Sequence, residues 1–197
     1  TWFGRPHLEM VWWHALHFSL WNRSKALGNI LSWYYTAYPN ALKIAKRQGF
    51  KGIRWMKMTD PWAGEAPSNV GSFLIWQQPH YIYLAEEMYR NDPSAKTIKK
   101  YAKNVQETAE FIADFVNYDK ASDRYYLKGE TAMQESMSRD ISYNQPFELA
   151  YWRYALITAQ AWRERQGLQR DTKWDDIIHK IVPLVEQDSI YLAGMNI

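Results

Sequence analysis

Residues 74–117 read LIWQQPHYIYLAEEMYRNDPSAKTIKKYAKNVQETAEFIADFVN, and they spell out a pair of helices joined by a tight return. From residue 93 to residue 117, Ile98, Tyr101, Val105, Thr108, Ala109, Ile112 and Phe115 or Val116 recur at helical spacing. That period predicts an amphipathic helix. Asp92 is placed to cap it, and Pro93 suits a first turn, where its missing N–H costs nothing. Upstream, Leu74, Ile75, Ile82, Leu84, Ala85 and Met88 predict a second helix over 74–90. The short connection at 91–93 makes the two an antiparallel hairpin.

The same reading extends in both directions. Residues 7–24 carry His, Leu, Met, Val and Trp without a breaker and predict a largely buried helix. Residues 26–48 predict a helix, a break at Pro39 and a second short helix, because an internal proline removes a donor and clashes one turn back. Gly49 suits the position just past a helix end. Residues 50–73 hold Gly52, Pro61, Gly64, Pro67 and Gly71, and predict a long loop. A turn with a short extended piece near Tyr125 and Leu127 leads to a second polar loop over 130–143. A helix over 145–166 ends at Gly167, and a last one over 173–187 is interrupted by Pro183. Long loops (50–73 and 119–144) thus alternate with short ones (91–93 and 167–172). This predicts an all-α chain of antiparallel hairpins whose long loops gather at one end, as in a helical toroid. No exact repeat is visible.

The chain has 197 residues, enough for one domain with a substantial core. It holds 11 Trp, 14 Tyr and 7 Phe, enough to furnish both a core and a cavity wall. The net charge of +3 is spread along the chain without a dense Lys/Arg block, which argues against a nucleic-acid partner. No apolar run reaches membrane-spanning length. With no cysteine, disulfides and thiolate metal sites are excluded. Thr1 comes first and the aromatic pattern is dense by Trp2, as in a processed or truncated chain. Location is left open, with a periplasmic or secreted protein slightly favoured.

Trp76, Gln77, Gln78, Pro79 and His80 crowd aromatic surface and neutral hydrogen-bonding groups at a helix start. That pairing suits a sugar, whose C–H faces stack on aromatic planes and whose hydroxyls meet amide, Asp, Arg and His ends. The plainer reading of most Trp and Tyr residues is core packing. Four carboxyls, Glu9, Glu65, Glu135 and Glu148, sit near helix starts beside aromatics. Burial there raises a carboxyl pKa toward that of a general acid, although a carboxylate at a helix start is also an ordinary N-terminal cap. His7, His14, His17 and His80 do not make a metal site, since the zinc-hydrolase helix signature is absent. No serine sits in a nucleophile elbow, there is no phosphate-binding glycine loop, and no cofactor is expected.

The segments resemble the six-hairpin (α/α)6-toroid glycoside hydrolases, nearest to glycoside hydrolase family 65 and its relatives, which include maltose, trehalose and kojibiose phosphorylases and α-glucoside hydrolases. HLEMVWWHALHFSLWNR is similar to the first barrel helix, with Glu9 at the Glu of a Trp-Asp-Thr-Glu motif. YYTAYPNALKIAKRQGFKGIRWMKMTDPWAGEAPS is similar to the next stretch, where Gly49, Gly52, Trp55, Gly64 and Glu65 match. WQQPHYIYLAEEMYR fills the slot of a sugar-facing helix. GETAMQESMSRDISYNQPFELAYWR resembles the segment bearing the general acid, with Glu135 at its position and Asn144 and Phe147 downstream.

The resemblance implies an inverting glycoside hydrolase, with an α-glucoside favoured as substrate and Glu135 as acid. It implies substrate contacts from Glu9, Trp13, Arg54, Trp55, Glu65, Trp76, Gln77, Gln78, His80, Asn144 and Glu148. Trp12 and Trp62 would be further walls, and Arg54 and Lys57 would orient Glu65 or bind sugar hydroxyls. The family's toroid needs roughly twelve helices, and about seven are legible here. The chain therefore reads as the first half or more of a truncated toroid, completed by further sequence or another chain, which would bring the base or the phosphate loop. Three alternatives stay open: a disaccharide phosphorylase, a polysaccharide lyase using Tyr143, Arg139 and Asn144, and a non-catalytic carbohydrate-binding helical domain.

Overall fold

The computed structural model describes residues 3–68, 70–129 and 143–194. Among them run six helices: α1 (Leu8–Leu20), α2 (Ser24–Arg47), α3 (His80–Asn91), α4 (Ala95–Phe115), α5 (Pro146–Arg165) and α6 (Thr172–Lys180). Two small antiparallel ribbons accompany them. One joins β1 (Asn117–Asp119) to β2 (Arg124–Tyr126), with Tyr118 opposite Tyr125, and the other joins β3 (Glu186–Gln187) to β4 (Ile190–Tyr191). No helix among the described residues is long and apolar enough to cross a membrane.

The helices form two layers. Each odd helix packs on its hairpin partner and on the next odd helix, so α1, α3 and α5 make one layer. The even helices α2, α4 and α6 follow one another in the second. Connections at 21–23, 92–94 and 166–171 are short, whereas 48–79 and 116–145 are long, and both long segments lead into the first turns of odd helices. The alternation of loop lengths expected from the sequence is therefore present. Between the layers, Tyr34, Trp55, Tyr81, Tyr101, Phe111, Trp152, Trp162 and Trp174 are buried.

Helix boundaries follow local chemistry. Ser94, not Asp92, caps α4: its hydroxyl accepts from the Thr97 N–H at 3.2 Å. Asp92 instead accepts from the Ser94 and Thr97 hydroxyls. α2 runs through Pro39 without the expected break. Pro39 is exposed, so the helix accommodates its ring on the solvent side. α3 begins at His80 rather than at residue 74, because Pro79 disfavours helical backbone at Gln78 and turns occupy the preceding stretch. α6 ends at Lys180, before Pro183, where the chain turns aside to pair with β2: the Val182 N–H donates to the Tyr125 carbonyl at 2.9 Å.

The 48–79 segment is tied down along its length. Leu8 N–H donates to the Lys57 carbonyl and Thr59 N–H to the Pro6 carbonyl, so the segment runs beside the entry to α1. At Gly52, φ is +68°, and a Cβ would lie 2.1 Å from the Glu107 carbonyl oxygen. Only glycine lets the segment approach α4 so closely.

Candidate functional site

The first turns of α1, α3 and α5 share one end of the molecule and meet in a cleft of about 400 Å³. Trp12 and Trp13 from α1, Trp76 from the turn before α3, His80 and Tyr83 from α3, and Phe147 and Tyr151 from α5 line it. Helical spacing places them: His80 and Tyr83 are one turn apart, as are Phe147 and Tyr151. Trp13 is 47% exposed and Phe147 40%, while Trp76 is buried. The Trp13 and Trp76 rings lie 5.2 Å apart, and Trp76 meets the edge of His80 at 4.7 Å.

His80 ties the three helices together. Its Nε2 lies 3.1 Å from the Glu9 carbonyl, which can only accept, so Nε2 carries the proton. Nδ1 must then accept from the Tyr151 hydroxyl, 2.9 Å away. Burial lowers the His80 pKa to about 3, against the opposing pull of the Glu9 carbonyl, and the ring is neutral. Its place at the first position of α3 also disfavours an imidazolium, since the helix dipole is positive there. Beside it, the Glu9 carboxyl touches the His7 imidazole and lies 3.9 Å from Lys57 Nζ. Burial raises the Glu9 pKa, with Lys57 opposing, and burial followed by Lys57 lowers His7 to about 4. Both shifts favour the uncharged forms of the two groups.

Of the residues expected to contact substrate, the structure brings Trp13, Trp76 and His80 into the cleft lining, with Glu9 reaching it through its backbone. The others have different places. Gln78 accepts from the Trp55 N–H at 2.8 Å and donates to the Ile53 carbonyl at 2.6 Å. Gln77 donates to the Trp55 and Leu74 carbonyls. Both amides therefore clamp backbone in the interior instead of facing the cleft. Trp55 is buried, with its indole N–H on Thr108. Arg54 is buried and donates to the Ser72 and Leu74 carbonyls, and its guanidinium lies over the Phe111 ring. Burial lowers its pKa to about 10, while the charges of Glu148 and Glu65 oppose the shift. Glu65 pairs with Arg47, and Lys57 lies beside Glu9, so neither cation expected to orient Glu65 does so by direct contact. Trp62 is 65% exposed and outside the lining.

Asn144, at φ +50°, accepts from the Leu127 N–H through its side chain and donates its own N–H to the Leu127 carbonyl. Glu148 is fully buried in the first turn of α5. Glu135 and Arg139 lie outside the described residues. Lys128 and Tyr143, which flank that stretch, are bridged to each other, and the chain runs from Tyr143 directly into Phe147. Tyr83 and Tyr151 line the cleft without having been singled out from the sequence. The signal for them was helical spacing from His80 and Phe147. Among the described residues, no group of three His, Asp or Glu side chains could hold a metal ion.

No family model and no curated protein sequence matches the chain. Solved structures do match its fold, among them one described as "Putative kojibiose phosphorylase from human microbiome", with a TM-score of 0.84 and 11% identity. The match covers 96% of this chain and 30% of that one. At such identity the likeness speaks of fold. The helical hairpins of this chain match those of an (α/α)6 toroid, with the odd helices in one layer and the even helices in the other.

Proposed function

We propose that the chain belongs to a carbohydrate-active enzyme that cleaves a glycosidic bond, with the aromatic cleft at the first turns of α1, α3 and α5 gripping the substrate. The cleft carries this reading, because the starts of three toroid helices, and Trp76 from the long segment before α3, converge on it. The likeness to a structure described as a kojibiose phosphorylase supports it further. A glycosidic oxygen leaves poorly until protonated, so cleavage needs an acid. Glu135 is proposed for that role from its sequence context. In an inverting hydrolase a second carboxylate activates water on the opposite face, about 6.5–9.5 Å from the acid. Inorganic phosphate would attack in its place in a phosphorylase, a reading that the description of the fold neighbour fits equally.

Two measurements test these steps. Turnover of aryl and disaccharide glycosides, followed with and without inorganic phosphate and with the product anomer read by NMR, separates hydrolysis from phosphorolysis. Glu135→Gln is expected to lower cleavage of unactivated glycosides by about 10²–10⁴-fold while binding and fold persist. Unchanged turnover in that variant would sink the assignment.

A further inference from the structure

We propose that the aromatic cleft takes the apolar aglycone of a glycoside, a flat aromatic or polycyclic group, and not the sugar. The proposal rests on the glycoside-cleaving reading and narrows its substrate class. The His80 imidazole and the Tyr151 hydroxyl are already engaged, whereas the buried Trp76 indole N–H has no partner. Both ring nitrogens of His80 are bonded, one to the Tyr151 hydroxyl and one to the Glu9 backbone. The amides that a sugar would need, Gln77 and Gln78, hold backbone in the interior. Among the described residues the lining includes no carboxylate, carboxamide, ammonium or guanidinium side chain. What is left is the Tyr83 hydroxyl and indole N–H groups.

A pyranose is girdled by hydroxyls that each donate and accept, and those buried without partners oppose binding. A flat apolar ring meets no such cost and gains from every apolar surface it covers. Several neighbouring rings of the lining stand edge-on, Trp12 to Trp13 at 84° and Trp76 to His80 at 81°, while Trp13–Trp76 and His80–Tyr151 are tilted, so both ring faces and ring edges border the space. That is the arrangement in which a further aromatic ring finds offset and T-shaped contacts. Phe147 is shared with a second groove of about 530 Å³, lined by Ala150, Leu184, Tyr191 and Leu192 among others. Apolar surface therefore adjoins the cleft on the Phe147 side, where a group larger than a single ring would extend.

The test is calorimetric titration of the protein with methyl, phenyl and 2-naphthyl α-D-glucopyranoside, alongside turnover of the same compounds. The dissociation constant is expected to fall at least tenfold from methyl to phenyl and again to naphthyl. Trp13→Ala and Phe147→Ala should abolish the gain, and Trp13→Phe should keep most of it. Both positions are partly exposed, so truncation spares the core. Equal affinity for the three glucosides, with turnover retained, overturns the aglycone assignment and leaves glycoside cleavage standing. Absence of binding by all three overturns the assignment, as it would if protein covers the cleft. Graded binding without cleavage of any glycoside supports the aglycone cleft and removes the catalytic reading.

Discussion

The amide of Gln78 grips both sides of Trp55's neighbourhood, taking the Trp55 N–H and giving to the Ile53 carbonyl, with no solvent exposure. Gln78→Ala would leave a buried donor and a buried acceptor without partners, and is expected to destabilise the fold by about 2–4 kcal/mol in urea denaturation. The sequence announced a glutamine pair at a helix start but not its use, since the backbone groups it meets lie 23 and 25 residues away. His80 carries the second expectation at this scale. Its folded pKa of about 3 lies below the unfolded value of 6.5, so its contribution to stability is complete above pH 6.5 and is lost as pH falls toward 3. The slope contributed by this one group is at most about 1.4 kcal/mol per pH unit. His7, lowered to about 4, acts with the same sign, so comparing the pH dependence of the urea midpoint between the native protein and His80→Gln isolates the His80 part.

At the scale of elements, α2 keeps an internal proline that its sequence alone marks as a break. Pro39→Ala restores a helical hydrogen bond on an exposed face and is expected to raise stability by about 1–3 kcal/mol, read as a higher urea midpoint. The existence and order of the helices were legible because apolar spacing and Gly/Pro punctuation are local. Ile98, Tyr101, Val105, Ala109 and Ile112 are all buried, as their spacing predicts. Boundaries were less legible where a distant partner decides them. α6 stops where Val182 meets Tyr125, and α3 starts only after the Gln77 and Gln78 amides have found the 53–55 backbone. The cleft was half legible for the same reason. Trp13, Trp76 and His80 stood out by type, whereas Tyr83 and Tyr151 join it only through the side-by-side packing of α3 and α5.

Across the whole molecule, the α3–α5 seam is pinned one turn past Tyr83 by Glu86, whose carboxylate accepts from Arg165 at 2.6 and 2.9 Å and from the Trp162 indole at 2.8 Å. Burial raises its pKa, but these bonds and the charges of Arg165 and Arg90 outweigh that, and the folded value is lowered. The pair's contribution is therefore present above the unfolded carboxylate range near 4.5 and lost as pH falls through the lower folded value. With Arg165 partly exposed, Glu86→Gln is expected to cost about 1–3 kcal/mol by chemical denaturation at neutral pH, with the loss shrinking in acid. The two-layer ladder also makes each hairpin a natural unit of local opening, with seams between successive units. The cleft lies across two such seams, so an occupant would act as a rivet between three semi-independent units. Amide exchange should then slow together at the first turns of α1, α3 and α5 when the cleft fills, while the short-turn end of the array keeps its own rhythm.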